Sequence, residues 1–329
     1  MRMKNPLVIH YSETAIIQKD VMDQPDFCNY PIRGLPWTTV RDVGYSMSLQ
    51  ESEFFGGHML LMEHEAFEET EIMFSAPEPV VFTVVMIEGF FRFFQEEKLL
   101  SYAMGGSYYM TYNPSITARL KASAGKHLIL VFALDRESLG LAERTYPPME
   151  ILMECIRHRS PHTVRLPVCR MTREVIDLWS CIRKLSPNIH VRSSDISSVV
   201  SRLIRIYQLQ LKQGNVVKEQ LSMDIANALI MYVDAHYTSD RDVRKAEIAQ
   251  RIGEPVSMIE GYCQVAFGRS LHKHIRDMRM GTVVRLLVNT DMSIRTIIAS
   301  VGYSHGSNFF RLFLIYFGLS PSEYRRKNR

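Results

Sequence analysis

The side chains best suited to chemistry in this sequence lie in a short polar stretch between two glycines, Gly302 and Gly318. The group comprises His305, Gly306, Ser307, Asn308, Phe310 and Arg311. Small or hydrogen-bonding side chains followed by an arginine leave room for a base edge and can donate to guanine or phosphate, so the pattern indicates groove recognition in DNA. No nucleophile–base pair or metal-ligand spacing occurs, so we expect no catalysis, cofactor or metal.

Two predicted helices position this group. Ser293 can cap the first helix, whose buried face has the spacing i, i+3, i+4, i+7. That face consists of Ile294, Ile297, Ile298 and Val301. Gly302 permits a left-handed turn, and the second helix runs from Ser307 to Phe317. Helix, glycine turn, helix is the helix-turn-helix arrangement, although the periodicity fits a generic capped hairpin equally well, with Arg311 as a solvated charge.

A weaker copy of this arrangement lies upstream, in KAEIAQRIGEPVSMIEGYCQVAFG. Gly253 marks its turn and Gly268 its end. Its groove-facing candidates are Ser257, Met258, Glu260 and Gly261. Leu271 to Val288, between the two copies, is long enough to form a rigid connecting helix. The two copies could then enter successive major grooves, one helical turn or ~34 Å apart.

Residues 218–329 resemble the DNA-binding domain of the AraC/XylS family of bacterial transcription regulators. The matching positions are Ile294, Ala299, Gly302, Tyr303, Ser307, Phe309, Arg311, Phe313, Phe317, Gly318, Ser320, Pro321, Tyr324 and Arg325. The resemblance implies a seven-helix domain with two helix-turn-helix units. We also expect Arg325, in the basic tail, to contact phosphate.

This sequence departs from the family pattern mainly in the first unit. The family usually has Ser or Thr, Arg and Phe where this chain has Pro255, Gly261 and Cys263. Glycine inside a helix costs roughly 1 kcal/mol relative to alanine and removes a side chain that could grip DNA. In the second unit Leu314 replaces the usual Lys. We therefore expect the second unit to provide most of the specificity.

The chain between Ile32 and Asp135 is rich in β-branched and aromatic runs separated by Gly, Pro and Asn, a pattern that predicts an antiparallel sandwich or barrel. The resemblance in layout implies a cupin-like β-barrel that binds a small effector or dimerises. Candidate effector-binding residues are Phe82, Met86, Phe91, Phe93, Tyr109 and Tyr112, which could equally fill the core. We interpret the acidic run from Glu63 to Glu71 as a solvated rim. The group His58, Glu63, His64 and Glu65 is interpreted as surface charge or capping rather than a metal site, because neighbouring residues on a strand alternate faces.

Helical patterns follow in the connecting segment. Met149 to His158 and Arg170 to Leu185 are predicted helices, and a cap-rich start for the next is Ser193-Ser194-Asp195. The apolar stripes of these helices are either core of this segment or a dimerisation element.

Charge divides the chain unevenly. Residues 1–150 contain 12 Lys and Arg against 20 Asp and Glu, whereas residues 241–329 contain 15 against 7. This gradient points to a polyanionic partner for the C-terminal end. The five cysteines form no CxxC pair, and no long apolar run or signal-peptide pattern occurs, so we expect a cytoplasmic protein that does not enter a membrane.

The sequence as a whole predicts an α+β multidomain protein. Its expected parts are a cupin-like sensory or dimerisation barrel (1–138), a helical connector (139–217) and an AraC-type DNA-binding domain (218–329). We expect a dimeric transcriptional regulator, an activator rather than a repressor, whose partners are double-stranded promoter DNA, a small-molecule effector, a second copy of the chain and RNA polymerase. The alternative is a cupin-type small-molecule-binding protein or enzyme whose helical tail mediates protein contacts. A regulator without any effector is a third option.

Overall fold

The computed structural model describes residues 6–135, 139, 149–216, 223–303 and 306–328, with the backbone alone for residues 223, 306 and 307. The chain divides into two compact parts, Met1–Gln220 and Leu221–Arg329, called here the N-terminal and C-terminal parts. Within the described residues, no helix combines the length and the apolar character needed to cross a membrane.

Two antiparallel sheets form the N-terminal part. The strands are β1 (Val8–His10), β2 (Ile16–Val21), β3 (Trp37–Asp42), β4 (Tyr45–Phe54), β5 (Gly57–Ala66), β6 (Thr70–Ala76), β7 (Val80–Glu88), β8 (Phe90–Gln95), β9 (Lys98–Met104), β10 (Ser107–Asn113), β11 (Ile116–Ala122), β12 (Gly125–Leu134), β13 (Val164–Arg165) and β14 (Cys169–Arg170). The smaller sheet has the order β1-β6-β11-β8-β9, and the larger has the order β13-β10-β7-β12-β5-β4-β3-β2, with β14 also on β10. The described strand pairings close no barrel, so the expected cupin-like barrel is not confirmed.

The larger sheet is the middle of three layers. Its helices are α1 (Glu150–Arg157), α2 (Arg173–Ile182) and α3 (Ile189–Lys212), and they cover one face. Side chains of β7 and β12 such as Val81 and Phe132 pack toward these helices, whereas Val84 and Ile129 pack toward the smaller sheet. A strand buried on both faces needs apolar residues at nearly every position, which explains the continuous run VVFTVVMIE in β7.

Helix α3 belongs to the core of this part. Tyr207 donates its hydroxyl to the carbonyl of Pro167 at 2.6 Å, and the Tyr108 hydroxyl donates to Gln210 Oε1 at 2.8 Å. This burial accounts for the apolar stripe of the connector without a second copy of the chain, and dimerisation stays a prediction. The predicted helix start at Ser193-Ser194-Asp195 is wrong, because Asn188 caps the helix by accepting from the backbone N–H groups of His190 and Val191.

The C-terminal part is entirely helical in its described residues. Its helices are α4 (Met223–His236), α5 (Lys245–Ile252), α6 (Val256–Phe267), α7 (Leu271–Asn289), α8 (Ile294–Ser300), α9 (Gly306–Phe317) and α10 (Pro321–Asn328). Left-handed glycines end α5, α6 and α9, at Gly253, Gly268 and Gly318. The helices of this part therefore begin and end close to the glycine and proline residues of the sequence.

Candidate nucleic-acid interface

The first helix-turn-helix unit consists of α5, the turn at Gly253 and α6. Ile248 and Ile259 are fully buried and join the two helices. The opposite side of α6 carries a stripe at the spacing i, i+3, i+4, i+7, formed by Ser257, Glu260, Gly261 and Gln264. Ser257 and Gln264 are exposed, and Met258 is half-buried beside them. This placement brings the four predicted residues together and adds Gln264, which the seven-residue spacing from Ser257 could have revealed.

Glu260 has a partner within the same unit. Its Oε2 lies 2.5 Å from Nζ of Lys245, the first residue of α5. The hydrogen bond to this carboxylate raises the pKa of Lys245 above its ordinary value. Lys245 thus neutralises a negative charge that would otherwise repel a phosphate backbone, while the predicted contact of Glu260 with cytosine stays untested.

The second helix-turn-helix unit consists of α8, the turn at Gly302 and α9. Ser293 caps α8 by accepting from the backbone N–H of Thr296 at 3.1 Å. Phe309 and Phe313 of α9 are fully buried. They pack in a cluster with Val283, Leu287, Ile297, Ile298 and Val301. Phe309 and Phe313 therefore form the buried inner face of α9, and the opposite face is left outward.

The outward face of α9 carries Asn308, Phe310 and Arg311, all exposed. Arg311 Nη2 donates to Asn308 Oδ1 at 3.4 Å, so the two polar side chains lie next to each other. His305 lies outside the described residues, and Gly306 and Ser307 are described in their backbone only. The described half of the predicted group is thus assembled on one surface near the N-terminal end of the helix, where a groove-binding helix contacts bases.

The rest of the outward face is apolar. Phe310, Leu314 and Ile315 are 46%, 53% and 70% exposed. Tyr316, farther along the helix, is 37% exposed. A helix whose outer face combines an Arg–Asn pair with three exposed apolar side chains can make both hydrogen bonds and apolar contacts, such as those to a thymine methyl group.

Arg325 has a structural role that the sequence did not predict. Its Nε donates to the carbonyl of Leu287 at 3.1 Å and its Nη2 to the carbonyl of Met292 at 2.7 Å. These bonds connect α10 to the end of α7 and to the loop after it, and the bond to Leu287 satisfies a carbonyl that the helix terminus leaves free. The predicted phosphate contact of Arg325 stays a prediction, and Arg326 next to it is exposed.

Arg279 of α7 binds two loop segments of the C-terminal part. This buried side chain donates from Nε to the carbonyl of Tyr237 at 2.7 Å and from Nη1 to the carbonyl of Gly302 at 3.2 Å. Its Nη2 also lies 2.8 Å from Asp240 Oδ1. One guanidinium therefore connects the segment before α5 with the turn between α8 and α9. Helix α7 also contacts the first unit, because the ring of His274 stacks on that of Phe267 in α6 at 3.8 Å, so α7 supports both units.

A cavity opens between the two sheets of the N-terminal part. Its lining is largely apolar. Phe82, Phe93 and Tyr109 of the predicted effector-binding group line it, with Ser101, Thr111 and Asn113 as polar groups. The other three predicted residues do not line it. Met86 and Phe91 lie in the core between the sheets, and Tyr112 faces the helical layer and donates to the carbonyl of Ser160 at 2.8 Å.

The run from Glu63 to Glu71 is only partly the solvated rim expected from its charges. Glu63 is buried, and its carboxylate accepts from the backbone N–H groups of Asn29 and Tyr30 at 2.7 and 2.9 Å. His64 is also buried, with its ring 5.5 Å from that of His127. The surface assignment is wrong for these two because β5 is a central strand with both faces covered, and Glu63 binds the backbone of a loop. Within the described ranges, no group of three or more His, Cys, Asp or Glu could hold a metal ion.

Comparison with known proteins identifies the C-terminal part. Residues 248–327 match a family model described as a helix-turn-helix domain. Among solved structures, the chain is similar to the C-terminal domain of AraT, a response regulator from Geobacillus stearothermophilus, with 25% identity over 33% of this chain and 88% of that chain and a TM-score of 0.30. A probable AraC family transcriptional regulator from Rhodopseudomonas palustris gives 20% identity, 32% and 98% coverage and a TM-score of 0.29.

The DNA-binding domain of AdpA, a global transcriptional factor solved in complex with a target DNA, is 19% identical, with 31% of this chain and 90% of that chain covered and a TM-score of 0.29. No curated protein matches the chain.

Proposed function

We propose that this chain, in which residues 248–327 form an AraC-type helix-turn-helix domain, is a sequence-specific DNA-binding regulator of transcription. The observation that carries the proposal is the pair of helix-turn-helix units on one supporting helix, α7, each with an outward stripe of its second helix. Such an arrangement suits two major-groove contacts on one face of a duplex.

The second unit supplies the stronger contacts in this proposal. Arg311 can bond guanine through two donors or grip phosphate, and Asn308 can pair with adenine. Phe310 offers an aromatic surface to a thymine methyl group. The first unit contributes less, since Gly261 has no side chain and Glu260 is paired with Lys245 at 2.5 Å.

A salt titration with duplex DNA tests this function. A DNA-binding chain loses affinity steeply with salt, with a log–log slope of about −0.9 for each phosphate neutralised. The measurement is the dissociation constant of the full chain for a random-sequence duplex at several salt concentrations. Absence of duplex binding at low salt would contradict the proposal.

Regulation in this proposal comes from the N-terminal part. The apolar cavity between the sheets suits a small effector that is itself mainly apolar and presents few hydrogen-bonding groups, to match Ser101, Thr111 and Asn113. We favour an activator that works as a homodimer and contacts RNA polymerase. Filling the cavity by Ala118→Phe should abolish binding of an apolar fluorescent probe to the N-terminal part, and unchanged probe binding would argue against this site.

A second candidate function rests on the exposed apolar residues of α9. Phe310, Leu314 and Ile315 could contact a protein, with the N-terminal part acting as a small-molecule-binding protein or enzyme. The same titration separates the two, because a protein-contact surface predicts almost no affinity for a duplex at any salt concentration.

A further inference from the structure

One carboxylate on α7 contacts the second helix-turn-helix unit and the loop that follows the first. Asp277 Oδ2 accepts from Arg269 Nη1 at 2.6 Å, and Asp277 Oδ1 accepts from the Tyr316 hydroxyl at 2.6 Å. The side chains of Arg269 and Asp277 are 19% and 27% exposed. Partly shielded, charge-assisted bonds of this length are stronger than bonds between neutral groups.

One donor lies in the loop directly after α6, and the other belongs to the last turn of α9. Arg269 directly follows Gly268, the left-handed residue that ends α6. Tyr316 is the penultimate residue of α9. The carboxylate therefore joins the loop that leaves the C-terminal end of α6 to the C-terminal end of α9 through a single side chain on α7.

Tyr316 is suited to remain a donor. Burial and the hydrogen bond to Asp277 raise the pKa of its hydroxyl to about 12. The hydroxyl thus keeps its proton at physiological pH. This link differs from that made by Arg279, which binds the segment before α5 and the turn at Gly302 rather than the groove-facing helices.

We propose that Asp277 is a positioning residue that fixes the spacing and relative rotation of α6 and α9, and thereby the distance between the two DNA segments that the chain recognises. The proposal rests on the proposed function. Two helices held rigidly on α7 fit one separation of their target segments, since each added base pair shifts a segment by 3.4 Å along the duplex axis and rotates it by about a tenth of a turn. Without the link, α6 and α9 can adjust independently.

The experiment measures tolerance to spacing. A duplex obtained by selecting bound sites from a random pool is altered by inserting or deleting one base pair between its two recognised segments. Dissociation constants at fixed salt are compared for the full-length wild type, Asp277→Asn and Tyr316→Phe. We expect the altered spacing to weaken wild-type binding by about tenfold or more and to weaken binding of the two variants by about threefold or less.

A matched control tests whether the loss of one negative charge by itself changes the spacing preference. Asp224→Asn, at an exposed position in the first turn of α4, makes the same change in net charge as Asp277→Asn. It should raise affinity for every duplex alike and keep the wild-type spacing preference.

The outcomes are distinguishable. If Asp277→Asn unfolds the C-terminal part, Tyr316→Phe, which removes one hydroxyl, decides the question. Wild-type spacing preference in Tyr316→Phe and in folded Asp277→Asn, or an equal loss of preference in Asp224→Asn, overturns the role of Asp277 while leaving DNA binding intact. A chain that selects no site at all overturns the proposed function, and the positioning role with it.

Discussion

Arg311 and Asn308 form the polar centre of the outward face of α9, and their neighbours are apolar. Because Phe310 and Leu314 cannot hydrogen bond through their side chains, most of the described hydrogen-bonding capacity of this face belongs to the Arg–Asn pair. Loss of the arginine should therefore affect discrimination between base sequences more than general attraction to DNA.

Arg311→Ala tests this expectation. We expect it to weaken binding to a selected site by roughly 1–3 kcal/mol, the usual worth of a bidentate contact to a base. Arg311→Lys is the matched control, since it keeps the charge but not the paired donors, and it should restore affinity for random duplex without restoring preference for the selected site. Unchanged affinity of Arg311→Ala at fixed salt would contradict the assignment.

His64 gives the N-terminal part a defined pH dependence. Burial and the nearby His127 lower the pKa of His64 from 6.5 to about 3. Between these values the unfolded chain binds a proton that the folded chain does not, so the free energy of unfolding should fall as the pH drops from 6.5 toward 3, by up to about 1.4 kcal/mol per pH unit. His127, whose pKa burial also lowers, adds to this slope.

Urea unfolding at several pH values measures the effect. Both tryptophans, Trp37 and Trp179, lie in the N-terminal part, so their fluorescence follows that part alone. His64→Phe should reduce the slope, whereas the exposed-site control His162→Asn should keep it. Equal slopes in wild type and His64→Phe would show that this histidine does not account for the dependence.

At the scale of elements, the sequence predicts the bounds of the C-terminal helices closely. It predicts the strand order and the layers of the N-terminal part less well. Helix α6 ends at the predicted position because Gly268, in the left-handed conformation, terminates it. Helix α3 begins before its predicted cap because one asparagine satisfies two N–H groups there. Glu63 and His64 were misassigned because the sequence does not show that β5 is covered on both faces, which depends on long-range strand order.

The candidate site was predictable to a similar degree. Periodicity and the glycine turns located the outward residues of α6 and α9. The partners of Glu260, Arg325 and Asp277 come from other helices, and no local pattern encodes such tertiary contacts.

The turn at Gly302 offers a test of the second unit as an element. Gly302 has a left-handed φ of 83°, and a Cβ there would overlap the carbonyl oxygen of Thr238. Gly318 has a φ of 66° but open space around it. We expect Gly318→Ala to lower the free energy of unfolding by about 1 kcal/mol, from backbone strain alone. Gly302→Ala should lower it by about 2–5 kcal/mol, because strain and overlap combine. Helical circular dichroism in urea titrations measures the free energy of unfolding of each variant. Equal losses of this free energy in the two variants would contradict this account of the turn.

At the scale of the whole molecule, the two parts differ in composition as well as architecture. The acidic front of the chain forms layered sheets around an apolar cavity, and the basic end forms helices with outward polar stripes. This division suits a small apolar ligand for one part and a polyanion for the other. The charge gradient along the sequence therefore already indicates the two different partners that we propose for the two parts.

Selection of bound duplexes from a random DNA pool, at fixed physiological salt and with the full chain, tests the central claim most directly. The account predicts a defined site with two preferred segments about one helical turn apart, and stronger base preferences in the segment protected by α9. A pool that remains random after repeated selection, with no duplex enriched over the others, would contradict it.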